Sequence, residues 1–201
     1  METLKNMPVW GYWCIGLGIV LVQIIVLASF GQPWIAASGR ILLWVNNPLS
    51  PDMSQQLADW YSLSHIIHGF IFFWILKWLF PSAPLGARLA LAFGIEVAWE
   101  IAENTPAVIE AYRQQALAVG YVGDSILNSV SDSVMMLLGF VFASRVRARY
   151  VIAIALTFEI MTAATIRDNL TLNVLNFIYT VPAIHDWQAG YGTEEHTGAV
   201  P

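Results

Sequence analysis

Five apolar stretches, each about long enough to cross a lipid bilayer, constrain the fold of this chain more than any other feature. They cover residues 9–30, 60–80, 86–104, 124–144 and 150–166. A membrane-spanning helix needs about 20 mostly apolar residues. The sequence therefore predicts an all-α fold, an integral membrane helical bundle of five or six spans. Three interpretations stay open for a shorter apolar segment, 170–181. It is re-entrant, or interfacial, or the end of a sixth helix that begins at Arg167.

The composition supports a membrane protein and excludes several other classes. Of the 201 residues, 57% are hydrophobic and 11% are charged, whereas soluble domains carry about 25% charged residues. We expect a single membrane domain over residues 1–201, with the lipid bilayer as its surroundings and a disordered polar tail over 190–201. The net charge of −5 and the absence of a basic run argue against nucleic acid as a partner. Oligomeric state stays open.

The positions of Lys and Arg predict the orientation of the bundle. With a cytoplasmic N-terminus, six of these residues lie inside and three lie outside. The inside set is Lys5, Lys77, Arg88, Arg145, Arg147 and Arg149, and the outside set is Arg40, Arg113 and Arg167. The first apolar stretch is too long for a typical secretory signal and is interpreted as an uncleaved span.

Ionisable residues occur within the apolar stretches, where burying a charge is expensive. They are His65, His68, Glu96, Glu100, Glu103, Asp132 and Glu159. In the predicted orientation nearly all of them fall in the periplasmic half of the membrane. Such residues usually have a function, so the sequence predicts a polar site that faces the periplasm.

Helical spacing places these polar residues on common faces. Glu96, Glu100 and Glu103 follow an i, i+4, i+7 pattern. A second face is formed by Asp124, Asn128 and Asp132, and a third by His65 with His68. Gly69 and Gly139 are small enough to let neighbouring membrane helices approach closely. We therefore expect the three faces to meet in one pocket.

The residue types in this pocket are those that bind zinc or a carboxylate-bridged metal pair. The predicted metal ligands are His65, His68, Glu96, Glu100, Asp124, Asn128 and Asp132. The predicted catalytic residues are Glu96, Glu100 and Asp132 as acid–base groups and Arg167 as an anion clamp. The cofactor hypothesis is a divalent metal such as zinc, although the spacing matches no established metal motif.

Structural interpretations of the same residues stay open. An alternative role for the histidines is structural, with each hydrogen-bonding a carboxylate across helices. Asp124 follows Gly123 and is interpreted first as a helix N-cap, and Arg167 with Asp168 as an interfacial ion pair. Three further expectations are that Glu103 is a surface charge, that Trp99 faces lipid or packs, and that Thr105-Pro106 starts a short surface helix over 107–118.

Five ordered blocks of sequence resemble an uncharacterised bacterial inner-membrane family of about this length. The blocks are Asp59-Trp-Tyr-Ser-Leu-Ser-His65-Ile-Ile-His68-Gly69, Glu96-Val-Ala-Trp-Glu100-Ile-Ala-Glu103-Asn104, Tyr112-Arg113, Gly123-Asp124-Ser-Ile-Leu-Asn128-Ser-Val-Ser-Asp132 and Arg167-Asp168-Asn169-Leu-Thr-Leu-Asn173. The resemblance implies location in the bacterial inner membrane and no particular activity. This chain departs from the family pattern at Gln56, where histidine is expected, and after Gly39-Arg40, where a cysteine-containing stretch is missing.

A more distant similarity, in the order of the motifs alone, is to the VanZ-like membrane proteins associated with glycopeptide resistance. The leading hypothesis is a membrane-embedded, metal-dependent hydrolase or transferase that acts on a lipid-linked or envelope substrate. The alternatives are a carrier for an ion or small solute, in which the buried acids relay protons, and an accessory subunit of a membrane complex. The sequence alone does not decide whether the protein is an enzyme.

Overall fold

The computed structural model describes residues 7–192 and is all-helical over that range, as the apolar periodicity predicts. Lys5 and most of the predicted disordered tail lie outside the described residues. The helices are α1 Val9–Ser29, α2 Ser62–Leu79, α3 Leu85–Glu103, α4 Pro106–Arg113, α5 Ile126–Arg145, α6 Ala148–Ile166, α7 Leu170–Ile178 and α8 Pro182–Ala189, followed by a 3-10 turn at Gly190–Gly192. Within residues 7–192 the only extended pairing is an isolated bridge between Val45 and Asp59.

Four of these helices, α1, α2, α5 and α6, are long and apolar enough to cross a membrane. Helix α3 has 19 residues but carries Arg88, Glu96, Glu100 and Glu103. A span count of five or six therefore stays a prediction. Helix α7 has nine residues, which is about 14 Å of helix and less than half the bilayer core.

The turn before α7 separates it from the last long helix. Helix α6 ends at Ile166, and Arg167 follows it in the left-handed conformation with φ of +57°. The side chain of Asn169 then caps α7 by accepting from the amide of Leu172 at 2.8 Å. The apolar segment is thus a separate helix that begins at Leu170, and not a helix that begins at Arg167.

Helices α2 and α5 form the most extensive contact in the molecule. A methyl group added at Gly69 would collide with the backbone oxygen of Met136, and one added at Gly139 would collide with that of Ile66. The two glycines therefore allow the backbones to touch, as predicted. Towards the opposite end of this contact from the polar residues, Phe73 packs edge-on against Phe140 in the apolar core.

Helix α1 is joined to this pair through a buried amide. Gln23 is fully buried, and its Nε2 donates to Ser129 Oγ at 2.8 Å and to Ser133 Oγ at 3.0 Å. Ser129 Oγ in turn donates to Glu100 Oε2 at 2.7 Å. This chain of polar contacts connects α1, α5 and α3 across an otherwise apolar interior.

The long connection between α1 and α2, residues 30–61, lies across the N-terminus of α5. The amides of Ile126 and Leu127 donate to the carbonyls of Pro33 and Trp34 at 2.8 and 3.2 Å. The amide of Ser125 donates to Ser54 O at 3.1 Å. The first amides of a helix have no partners within it, so this connection supplies acceptors that the helix needs.

The caps around α4 and α5 differ in part from the sequence-based expectation. Helix α4 follows Thr105 with Pro106 in its first turn, as predicted, but ends at Arg113 and does not reach residue 118. The N-cap of α5 is Ser125, whose Oγ accepts from the amide of Asn128 at 3.1 Å. The interpretation of Asp124 as the N-cap is therefore wrong by one residue, which leaves its carboxylate available for other contacts.

Candidate functional site

A cavity of about 750 Å³ lies at one end of the bundle, where three connecting regions meet. Its walls come from the α1–α2 connection, from the α4–α5 connection, from α7, and from the adjoining ends of α2, α3 and α5. His65, His68 and Glu96 form part of its wall, together with Asp124, Asn128 and Asp132. Six of the seven predicted metal ligands therefore line one space.

A carboxylate on α3 lies between two imidazoles on α2. His65 Nδ1 is 2.6 Å from Glu96 Oε1, and His68 Nδ1 is 3.2 Å from Glu96 Oε2. Glu96 is fully buried and His65 is nearly so. The i, i+3 spacing of the histidines on one face makes this arrangement possible. The donor atoms of all three residues lie close enough together to hold a metal ion.

The other ring nitrogen of His65 faces a second carboxylate. Its Nε2 is 3.9 Å from Asp132 Oδ2. Ser62 Oγ donates to Asp132 Oδ1 at 2.7 Å, which fixes the carboxylate. A carboxylate behind a ligating histidine sets the orientation and proton position of the ring. Asp132 thus faces the ring nitrogen that points away from Glu96, and at 3.9 Å it acts on His65 electrostatically and not through a hydrogen bond.

Glu100 lies one turn along α3 from Glu96 and is 1% exposed. Its Oε2 accepts from Ser129, whereas its buried Oε1 accepts no hydrogen bond. Oε1 is 3.3 Å from His65 Nδ1, but that nitrogen carries at most one proton and is closer to Glu96. Buried polar atoms nearly always have a hydrogen-bond partner, so a buried carboxylate oxygen without one is unusual.

Asp124 is held by neighbouring side chains at the end of the α4–α5 connection. Asn104 Nδ2 donates to Asp124 Oδ2 at 2.7 Å, and the amide of Asp124 donates back to Asn104 Oδ1 at 2.7 Å. Tyr121 donates to Asp124 Oδ1 at 2.8 Å. Gly123 is favoured here because its φ of +93° is strained for other residues, and a side chain would also displace Asn104 and Gln32. Asn104, which directly follows α3, thus also holds Asp124 in place.

Asp168 and Asp59 are buried acids on the segments that flank the spans. Asp168 accepts hydrogen bonds from Tyr61 Oη at 3.0 Å, from the amide of Asn169 at 3.0 Å and from Gln188 Nε2 at 3.1 Å. Burial raises the pKa of Asp168 to about 6 despite these donors. Burial likewise raises the pKa of Asp59, against the hydrogen bonds from the amides of Ser54 and Tyr61. Both pKa values reflect loss of solvent around the charged form.

Two predicted members of the cluster lie elsewhere. Arg167 does not line the cavity, because its left-handed backbone directs the guanidinium to the carbonyl and ring of Trp187. Its placement does not support a role as anion clamp. Glu159 accepts from the amides of Leu170 and Thr171 at 3.1 Å. It therefore caps α7 and does not join the other acids.

Asn128 lies at the cavity but holds the α1–α2 connection in place. Its Nδ2 donates to Gln56 O at 2.9 Å. Gln56 is itself buried and accepts from the amide of Leu42 at 2.7 Å. The residue that departs from the family pattern therefore has a structural role in the connection.

Several cavity residues were not among the predicted ligands and catalytic groups. Glu103, which shares the predicted face of Glu96 and Glu100 but was also interpreted as a surface charge, lines the cavity. Trp99, interpreted as facing lipid or packing, lines it too, as do Tyr61 and Asp168. Asp168 lies outside the apolar stretches, and Tyr61 is an uncharged residue at the start of the 60–80 stretch, so neither stands out as an ionisable group within a span. Both belong to the family motif blocks.

The described residues contain two candidate metal-binding groups. The first consists of His65, His68 and Glu96, and the second of Glu100, Glu103 and Asp124. Within each group one donor atom per residue lies within 4.8 Å of the others. The first group offers two nitrogens and an oxygen, and the second offers oxygen only.

Residues 27–190 match the family model described as "Protein of unknown function (DUF2585)". The chain belongs to this family. Its relatives include a UPF0314 protein of Sphingopyxis alaskensis, 49% identical over 178 residues, which are 89% of this chain and 95% of the relative. No solved structure gives a significant match.

Two further relatives extend the family among bacteria. A UPF0314 protein of Agrobacterium fabrum is 47% identical over 87% of this chain and 88% of its own length. One from Rhizobium meliloti is 47% identical over 94% of this chain and 95% of its own length. The uncharacterised bacterial family indicated by the five sequence blocks is thus confirmed.

Proposed function

We propose that this protein is a multi-pass inner-membrane hydrolase or transferase that depends on a divalent metal and acts on a lipid-linked or envelope substrate. The observation that carries the proposal is the convergence of His65, His68 and Glu96 on the wall of the cavity. Two imidazoles and one carboxylate, with a fourth position left for water, are a recurrent ligand set of catalytic zinc. Zinc lowers the pKa of its bound water to about 7 and so supplies a nucleophile at neutral pH.

The spacing of the donor atoms supports this ligand set. Zinc with donors at about 2.0 to 2.1 Å in tetrahedral geometry separates those donors by about 3.4 Å. His68 Nδ1 and Glu96 Oε1 are 3.4 Å apart, which matches that value. His65 Nδ1 is 2.6 Å from the same oxygen and would move outward by less than 1 Å. Asp132, behind His65, would orient the imidazole as an outer partner.

The remainder of the cavity suits an amphiphilic substrate. The polar cluster occupies one side, whereas Phe72, Ile95 and Phe177 line another. Ile95 is 41% exposed on the outer face of α3, so the apolar wall reaches the surface of the bundle. A substrate with an apolar chain and a polar head would place each part against matching surface.

In this proposal five helices cross the inner membrane, the N-terminus is cytoplasmic, and the cavity opens to the periplasm. Helix α3 is the fifth span, and its acids face the cavity or the interior of the bundle and not lipid. The Lys and Arg distribution of the sequence supports the orientation. The whole chain then forms a single membrane domain.

Metal analysis of the purified protein tests the proposal. The unaltered protein is expected to retain about one zinc per chain after zinc loading and gel filtration. The double variant His65→Ala, His68→Ala is expected to retain none. The matched control is His185→Ala, because this histidine does not line the cavity and its side chain is 40% exposed.

Equal zinc content in the double variant and in the control would remove the histidines as ligands and overturn the proposal. Loss of zinc in the double variant would be accepted only if it still elutes as a folded, monodisperse species. If it does not, the single variants His68→Gln and His65→Gln give the same comparison with a smaller change in volume.

One observation favours a second candidate function, a proton-coupled carrier. The short helix α7 lines the cavity through Asn173, Val174 and Phe177, and broken helices of this kind line transport paths in secondary transporters. A carrier predicts solute or ion flux in proteoliposomes that responds to a pH gradient or a membrane potential. The enzyme predicts bound zinc and no such flux.

A further inference from the structure

We propose that Glu100, Glu103 and Asp124 form a second, oxygen-only site for a hard divalent cation such as Mg²⁺ or Mn²⁺, next to the histidine site. This second site depends on the proposed function only in that the neighbouring histidine site is taken to hold zinc. Three carboxylate oxygens, one from each residue, lie within 4.8 Å of one another. Oxygen-only sets favour magnesium, calcium and manganese, whereas imidazoles favour zinc.

The unsatisfied oxygen of Glu100 points to a missing ligand. Glu100 is 1% exposed, and its Oε1 accepts no hydrogen bond. A buried polar atom without a partner costs about 1 to 3 kcal/mol, and more when it is charged. A cation bound to this group would supply the compensation that the protein does not.

The charge balance around the three acids is also incomplete. Within residues 7–192, one ion pair involves these carboxylates. It joins His65 Nδ1 to Glu100 at 3.3 Å. The one Arg–carboxylate ion pair described in that range joins Arg113 to the exposed Glu110. Three carboxylates this close together repel one another strongly away from water. A divalent cation removes that repulsion.

The second site is held in place by residues that would surround a cation without binding it. Asn104 Nδ2 donates to the carboxylate of Asp124, and its Oδ1 accepts from the amide of Asp124. Asn104 Nδ2 also donates to the main-chain carbonyl of Glu100 at 2.9 Å, which ties this side chain to the end of α3. Tyr121 donates to the second oxygen of Asp124. Outer hydrogen bonds of this kind fix ligating carboxylates. Both oxygens of the Asp124 carboxylate are thus held in place.

The two sites are adjacent but chemically separable. Glu96 and Glu100 are one helical turn apart on α3, and His65 Nδ1 reaches a carboxylate oxygen of each. No proposed ligand is shared, so loss of one metal need not remove the other. This separation allows each site to be tested alone.

Manganese binding to the full-length purified protein, measured by electron paramagnetic resonance, tests the inference. Zinc-loaded protein is expected to bind about one Mn²⁺ per chain, and Glu103→Gln should weaken that binding by at least the roughly tenfold seen on loss of outer metal partners. Glu110→Gln, with the same charge change on an exposed residue, is expected to leave it unchanged. The zinc content of Glu103→Gln should also be unchanged.

The outcomes separate this inference from the proposed function. Absence of Mn²⁺ binding, or an equal effect of Glu103→Gln and Glu110→Gln, would overturn the second site, whatever the zinc content. Mn²⁺ binding that depends on Glu103, in a protein that retains no zinc after zinc loading, would support the second site and count against the histidine site. Asp124→Asn gives an independent variant if Glu103→Gln does not fold.

Discussion

Individual buried acids in this protein are compensated in different ways. Glu96 lies between two imidazoles, whereas Asp168 has only neutral donors around it. Neutral donors leave a buried carboxylate costly to ionise. The free energy of unfolding should therefore depend on pH through Asp168.

Asp168→Asn tests this dependence. The folded-state pKa of about 6 exceeds the ordinary 3.8, so the folded state holds the proton more tightly than the unfolded state. The cost of ionisation is therefore absent below about pH 4 and complete above about pH 6. Between about pH 4.5 and about pH 7.5 the unaltered protein should lose on the order of 2 kcal/mol relative to Asp168→Asn. Thermal unfolding in detergent at several pH values measures this difference.

Asp186→Asn is the control for this prediction, because the Asp186 side chain is 83% exposed. The difference in free energy of unfolding between Asp186→Asn and the unaltered protein should be the same at every pH. An offset for Asp168→Asn that is likewise independent of pH would contradict the account of this residue.

Sequence spacing predicted which residues share a face, and that part of the site needs no tertiary information. His65, His68, Glu96 and Glu100 meet because helical geometry fixes their directions. Arg167 was misplaced because its direction depends on a single left-handed backbone conformation. Glu159 was assigned to the same site because its predicted depth in the membrane is similar to that of the other acids. Depth does not specify which way a helix face points.

At the scale of helices, the contact between α2 and α5 depends on two glycines. Gly69→Ala should lower stability by about 1 to 3 kcal/mol or more, because the added methyl group meets backbone and not a movable side chain. Gly94→Ala in α3 is the matched control, since nothing lies within 4 Å of the added atom. Thermal unfolding of the two variants in the same detergent compares them. Equal unfolding temperatures of the two variants would show that α2 and α5 are farther apart than in the structure.

The short helix α7 depends on an acid from the preceding helix. Glu159 accepts from the amides of Leu170 and Thr171 and from the hydroxyl of Thr171 at 2.5 Å. Glu159→Ala should cost about 1 kcal/mol, the usual value of a lost cap. Hydrogen exchange should accelerate over Leu170–Ile178 and stay unchanged in α2 and α5. Uniform acceleration along the chain would contradict a local role for Glu159.

Helices could be predicted from this sequence because hydrophobic length and periodicity are local properties. The connection over residues 30–61 could not, since its hydrogen bonds to α5 join residues more than 65 positions apart, as in Ser125 with Ser54. Hydropathy gives no information about such pairs. This connection nevertheless forms one wall of the cavity.

For the whole molecule, the proposed topology of five spans with a cytoplasmic N-terminus predicts a periplasmic C-terminus. Helix α7 is too short to return the chain. Alkaline phosphatase fused after the last residue should therefore be active, and the same enzyme inserted at Pro81–Pro84, between α2 and α3, should be inactive. An inactive C-terminal fusion, confirmed by a fluorescent cytoplasmic reporter, would mean that another segment crosses the membrane.

In the proposed function, imidazoles and a carboxylate from two helices hold one zinc ion in a shared cavity. Zinc-edge X-ray absorption of the loaded, purified protein measures the donors around that ion. We expect nitrogen and oxygen donors at about 2.0 Å, with the scattering pattern of two imidazoles, and loss of that pattern in the variant His65→Ala, His68→Ala. A sulfur shell at about 2.3 Å, which would indicate binding at the exposed Cys14, or an identical spectrum in the variant would contradict it.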